Sequence, residues 1–118
     1  MKFNPTIPIY LQIMDSIKQD IVTGVLTPGD RVDSVRNLAQ KYGVNLNTMQ
    51  RACSELEREQ IIQTQRGVGS FVTESNEIIY TLKMEMSQTL LTEFINGMQA
   101  LGYKKEEIPT LLREAMEK

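Results

Sequence analysis

Ser34-Val35-Arg36-Asn37-Leu38-Ala39-Gln40-Lys41-Tyr42-Gly43-Val44-Asn45-Leu46-Asn47-Thr48-Met49-Gln50-Arg51 is the stretch on which the fold turns. Val35, Leu38, Ala39 and Tyr42 recur at helical spacing, which gives a first short helix one apolar face. Gly43 stops that helix, because glycine takes a positive φ cheaply and commonly ends helices. Asn45 then stands where an N-cap is wanted. The second helix is expected to bury Met49, Ala52, Cys53 and Leu56. Its other face shows Asn47, Gln50, Arg51, Ser54 and Arg58. A helix, a tight glycine turn and a helix with a polar, exposed N-terminal half make the pattern of a helix-turn-helix. An ordinary helical hairpin with a solvated outer face shows it too, so the hairpin alone does not choose.

The residues that follow do choose. Ile61-Ile62-Gln63-Thr64-Gln65 and Ser70-Phe71-Val72-Thr73 are β-prone, and Arg66-Gly67-Val68-Gly69 between them is a turn. Strand, glycine turn, strand is a hairpin. A helix-turn-helix followed at once by a hairpin is a winged helix. Arg66 sits among flexible residues at the wing tip, where backbone and guanidinium can approach a phosphate or enter a minor groove.

Working back from the hairpin, residues 1–7 read as irregular, with Pro5 and Pro8 keeping the backbone extended. Pro8 suits the first turn of a helix, where a missing N–H costs little. Tyr10, Ile13, Met14, Ile17 and Ile21 then trace one apolar stripe, and Gly24 closes it. Pro28-Gly29-Asp30 is a turn, and Arg31-Val32 has room for a very short strand.

Working forward, Glu74-Ser75-Asn76 marks a boundary between a winged helix-turn-helix DNA-binding domain, residues 1–75, and a helical dimerisation tail, residues 76–118. Ile79, Leu82, Met86, Leu90, Phe94, Met98 and Leu101 step by threes and fours along one long helix. Met84, Leu91 and Ile95 add apolar surface beside them, so the apolar arc exceeds the roughly 100° a surface helix needs. A last short helix with Ile108, Leu111, Leu112, Ala115 and Met116 covers only part of it. The rest requires the winged helix or a second chain. Methionine at helical spacing reads as packing rather than as a cofactor pocket.

Composition narrows the function. The chain has 118 residues, 13 basic and 15 acidic side chains, one cysteine and no histidine. A net charge of −2 argues mildly against nucleic acid, but distribution counts for more. Residues 1–75 hold eight basic and eight acidic side chains and residues 76–118 five and seven, so the acidic excess lies in the tail. Arg36, Lys41, Arg51, Arg58 and Arg66 form a candidate basic face. Without histidine, His-based metal sites and His-dependent nucleophilic triads are absent, and no catalytic constellation or cofactor site is visible. Cys53 has no partner for an intrachain disulfide and reads as a small core hydrophobe. No apolar run is long enough for a transmembrane helix, and Met1-Lys2-Phe3-Asn4-Pro5 does not begin a signal peptide. The expectation is a cytoplasmic protein without a membrane partner.

The sequence resembles the GntR family of bacterial transcription regulators, and most of all its YtrA-type branch with a short two-helix tail. The residues that carry the likeness are Pro8-Ile9-Tyr10-Leu11-Gln12-Ile13, Gly24-Val25-Leu26-Thr27-Pro28-Gly29-Asp30-Arg31-Val32, Ser34-Val35-Arg36-Asn37-Leu38-Ala39, Val44 through Ala52, Leu56-Glu57-Arg58-Glu59 and Arg66 through Val72. The tail matches in length and helical pattern only. The resemblance implies DNA-binding roles for Arg36, Asn45, Asn47, Thr48, Gln50, Arg51, Arg66 and Gly67. Three positions depart from the family pattern. Val32-Asp33-Ser34 replaces the usual Leu-Pro-Ser and loses a rigid turn. Gln60 replaces the usual glycine before the first wing strand. Leu46 stands where some members carry a base-reading arginine.

These readings converge on a mostly α fold with a small β-hairpin wing, a winged helix-turn-helix followed by a two-helix dimerisation tail. The expected function is that of a sequence-specific regulator that binds an inverted-repeat operator of double-stranded DNA as a homodimer, and the resemblance implies a repressor of nearby genes, often transporter genes in this branch. Arg36, Arg51 and Arg66 are expected on phosphates or in the minor groove, and Asn47 and Gln50 on bases. Ile79, Leu82, Met84, Met86, Leu90, Leu91, Phe94, Ile95 and Met98 are the expected dimerisation residues. A small-molecule effector stays open, since helices at a dimer interface can form a small pocket. The competing reading is a winged helix used for protein contacts without DNA.

Overall fold

The computed structural model describes residues 1–118. The elements in order are α1 (Ile9–Val22), β1 (Arg31–Val32), α2 (Val35–Tyr42), α3 (Leu46–Arg58), β2 (Ile62–Gln65), β3 (Gly69–Val72), α4 (Asn76–Ala100) and α5 (Ile108–Met116). The chain forms two compact units, Met1–Leu82 and Lys83–Lys118.

The first unit is a winged helix. α1 opens without a side-chain cap from Pro8. Gln12 instead binds the segment that precedes the helix. Its Oε1 accepts from Asn4 N at 2.8 Å, and its Nε2 donates to the carbonyls of Asn4 and Ile7 at 2.8 and 2.9 Å. The N-terminal segment is thereby tied to the helix it precedes. Ile13, Met14, Ile17 and Ile21 of α1 meet Leu38 and Ala39 of α2 and Met49, Ala52, Cys53 and Leu56 of α3 in the core. Tyr10, at the head of the α1 stripe, is only half-buried.

The wing is larger than a hairpin. β1 pairs antiparallel with β3 (Arg31↔Phe71, Val32↔Ser70), so the sheet has three strands in the order β1-β3-β2. The short strand expected at Arg31-Val32 is thus present, and it joins the wing hairpin. A two-stranded ribbon is marginal in water, and the third strand pairs the outer edge of β3. Val32, Ile62 and Val72 turn inward from this sheet and close the core against the helices. β2 starts one residue later than the β-prone run, because Ile61 N donates to Leu56 O and closes the end of α3.

Gln60, just before that strand, has φ 64°, and no other residue except glycine has a positive φ. A turn that glycine makes most easily is therefore made here with a side chain in place.

Ser75 caps α4, its Oγ accepting from Ile78 N at 3.1 Å. α4 is one uninterrupted helix of 25 residues. Its opening turns carry Leu82, which is 6% exposed and belongs to the first unit. In the second unit, Tyr103 N donates to Met98 O and Gly102 N to Gln99 O, closing the helix. α5 follows with Pro109 in its first turn and Ile108 buried. No helix is long and apolar enough to cross a membrane.

Candidate nucleic-acid interface

Local hydrogen bonds set the two helices of the central motif. Ser34 Oγ accepts from Asn37 N at 3.1 Å and caps α2. Asp33 Oδ1 accepts from Ser34 N at 2.8 Å and from Asn37 Nδ2 at 2.9 Å. This pair of bonds ties the Asp33 side chain across the start of α2. The Asn37 side chain first, then the Ser34 N–H and the charge of Lys41, hold the Asp33 carboxyl below the usual carboxylate range. Gly43 takes φ 68° and donates to Gln40 O, while Val44 N donates to Ala39 O at 3.0 Å. Asn45 Oδ1 then accepts from Thr48 N at 2.8 Å and starts α3. Asn45 thus has a structural task beside any contact it makes, and its Nδ2 amino group remains to donate to a ligand.

The exposed face of α3 is as expected, but its side chains are not equally free. Asn47 is exposed and forms no side-chain hydrogen bond within the chain, whereas Thr48 is half-buried. Gln50 Nε2 donates to Ser54 Oγ at 3.2 Å. The Arg51 guanidinium lies 3.9 Å over the Tyr10 ring and donates from Nη2 to its hydroxyl at 3.3 Å. Stacking holds Arg51 against α1 while the residue stays exposed. Arg58 is paired with Glu55, so the basic face expected at this end of α3 is locally neutralised. Arg36 on α2, Lys41 and Arg66 at the wing tip are exposed and make no ion pair.

Sequence reasoning missed Arg31. Its Nη2 donates to Val68 O at 2.8 Å, bracing the wing turn from β1. A Cβ at Gly69 would stand 3.0 Å from Arg31 Nε and Nη2, so glycine is what lets the guanidinium lie against the turn. A very short strand at Arg31-Val32 was readable, but nothing local announced that β1 would pair with β3. On the other side of the sheet, Thr64 Oγ1 shares a hydrogen bond with Ser70 Oγ at 2.9 Å and donates to Glu57 of α3. The wing is therefore tied both to β1 and to the recognition helix. Between them runs a groove of about 160 Å³ whose walls include Arg31, Asp33, Gln50, Cys53, Glu57 and Ser70. Burial first, then the charge of Glu57, push the Cys53 thiol up, away from the reactive thiolate. No group of acidic or thiol side chains is placed to hold a metal ion.

Gly67 takes φ 78° at the wing tip beside Arg66, with open space where a Cβ would be. In the tail, Ile79, Met86, Phe94, Ile95 and Met98 are half-buried, while Met84, Leu90 and Leu91 are 43%, 67% and 47% exposed. Leu82 is already covered within the single chain and has little surface left to give a partner.

Comparison with known proteins agrees with this geometry. Residues 9–72 match the family model of the bacterial regulatory proteins of the gntR family. The chain is 44% identical over 107 residues to the uncharacterized HTH-type transcriptional regulator YhcF of Bacillus subtilis, spanning 91% of this chain and 88% of that protein. It is 36% identical over 108 residues to the HTH-type transcriptional repressor YtrA of Bacillus subtilis, spanning 91% and 83%. A solved structure of a GntR family transcriptional regulator from Listeria monocytogenes superposes with a TM-score of 0.87 at 42% identity, covering 95% of this chain and 98% of that one. These relatives are transcriptional regulators rather than enzymes. With the winged helix and its exposed α3 face in place, the chain belongs to the GntR family and is a transcriptional regulator with a winged-helix DNA-binding domain.

Proposed function

We propose that this regulator is a homodimeric repressor that binds an inverted-repeat operator in double-stranded DNA and controls nearby genes. The observation that carries the proposal is the exposed N-terminal half of α3 flanked by a braced wing, with unpaired Arg36 on α2 and Arg66 at the wing tip. Residues 1–75 act as the DNA-binding domain and residues 76–118 as the dimerisation tail. Asn47 and Gln50 read bases, since a paired amide donor and acceptor suit adenine in the major groove. Arg36, Arg51 and Arg66, with the backbone at Gly67, hold phosphates or the minor groove; Asn45 and Thr48 contact the DNA from the start of α3. The printed name of the YtrA relative supports repression.

The test is selection of bound sequences from random DNA with the full chain, followed by mobility assays at low and moderate salt. Enrichment of an inverted repeat, with affinity falling steeply as salt rises, is the expected result. A chain that enriches no sequence and binds without salt dependence is a protein-contact module instead.

A further inference from the structure

Leu46 opens α3 and is 45% exposed. Along α2 and α3 no other large apolar side chain is so exposed. The core has not claimed it, and the cap beside it is made by Asn45. Leu46, Gln50, Cys53 and Glu57 follow one another at steps of four, three and four residues, which makes them one row along the helix. The last three line the groove beside the wing. Leu46 carries that row to the N-terminal end of the helix, the end that meets base edges in a helix-turn-helix.

Its polar neighbours each make one contact within the chain, Asn45 with Thr48, Gln50 with Ser54 and Arg51 with Tyr10, and Gln50 keeps its Oε1 and a second Nε2 proton for a base. Of the exposed side chains in the first turn, only Leu46 and Asn47 carry no such engagement. A leucine can neither donate to nor accept from a base. The major-groove feature it complements is the C5-methyl group of thymine, since the other base edges present there are polar. We propose that Leu46 is a specificity-determining residue that reads a thymine in each half-site by packing on its 5-methyl group. This rests on the DNA-binding reading above.

The test replaces each thymine of the selected operator with deoxyuridine, one position at a time. That change removes only the methyl group and leaves the protein untouched. Full-length wild-type chain and Leu46→Ala are titrated on every duplex. The expected result is one position per half-site where uridine weakens wild-type binding about fourfold, the factor that burying one methyl-sized group supplies. At that position Leu46→Ala binds the thymine and uridine duplexes equally, and it matches wild type on the uridine duplex. Selection that succeeds with no methyl-sensitive position, or a methyl effect that persists unchanged in Leu46→Ala, overturns the assignment of Leu46 alone. Selection that enriches nothing overturns the DNA-binding reading, and this assignment with it.

Discussion

Arg31 Nη2 lies 2.8 Å from the carbonyl oxygen of Val68, so a side chain of β1 holds the tip of the wing from 37 residues away in sequence. The wing turn has few other supports, since Arg66, Gly67 and Val68 are all exposed. Arg31→Ala removes this brace and should lower stability by about 0.5–1.5 kcal/mol in urea unfolding, the usual worth of one net hydrogen bond. DNA affinity should fall more than stability predicts, and hydroxyl-radical footprints should lose protection under the wing first. Protection lost evenly across the site would show that the wing holds its place without Arg31.

Gln60 gives a second test, on backbone strain. A side chain held at φ 64° costs roughly 1–2 kcal/mol relative to the right-handed region, while glycine adds about 0.5–1 kcal/mol of unfolded-state entropy. The balance favours glycine. Gln60→Gly should raise stability by about 0.5–1 kcal/mol with DNA binding unchanged. A variant less stable than wild type would mean that Gln60 makes a compensating contact in solution.

The Asp33 network predicts a pH dependence. Its carboxyl titrates lower in the folded chain than in the unfolded chain, because Asn37 and the Ser34 N–H favour the charged form. The stability it contributes is therefore present above the ordinary carboxylate range and fades as pH falls through that range toward the folded value. Asp33→Asn should be less stable than wild type near neutrality, and the gap should narrow only as pH falls below the ordinary Asp value of 3.8. Other carboxylates titrate in both proteins and cancel in the difference. A gap that stays constant with pH would assign the effect of Asn to shape rather than charge.

Much of this was legible because it is local. Helical spacing placed α1, α2 and α3, Gly43 and Asn45 placed the turn between the last two, and the glycines of the wing placed its tip. The three-stranded sheet was not legible, since nothing in Arg31-Val32 names Phe71 and Ser70 as its partners. The same distance hid the brace on Val68. The stacking of Arg51 on Tyr10 joins residues 41 apart, so a basic residue counted as free was partly spoken for. The pairing of Arg58 with Glu55 lies at a spacing of three on one helix and was within reach of sequence reasoning. Leu82 shows the limit of periodicity: its position in the stripe was right, but periodicity does not say which surface covers it.

Arg66 is exposed and unpaired at the wing tip, which makes its charge available to a phosphate. Arg66→Ala should weaken binding to all sequences alike and reduce the slope of log affinity against log salt by about one. Gel-shift titrations over a salt series measure both. An unchanged slope would place Arg66 outside the interface.

The tail prediction turns on Met84, Leu91 and Ile95. These residues follow one another at steps of seven and four on one side of α4, and Met84 and Leu91 are about half exposed in the single chain. Burying a large apolar side chain is worth roughly 1.5–3 kcal/mol, so a stripe of them in water is a standing loss. Two-fold symmetry is the commonest way to cover a self-complementary stripe, and it presents two recognition helices to an inverted repeat. Leu91→Glu puts a charge in the middle of that stripe and leaves the sequence of the first compact unit unchanged. It should give a folded monomer in sedimentation at tens of micromolar, with specific binding weakened at least tenfold and nonspecific binding largely kept. A chain ending at Leu82 should behave in the same way; ending it there keeps the buried leucine that a cut at residue 75 would remove from the first compact unit. A wild-type monomer at that concentration, or a Leu91→Glu variant that stays dimeric and binds its operator as tightly as wild type, would move the interface away from this face of α4.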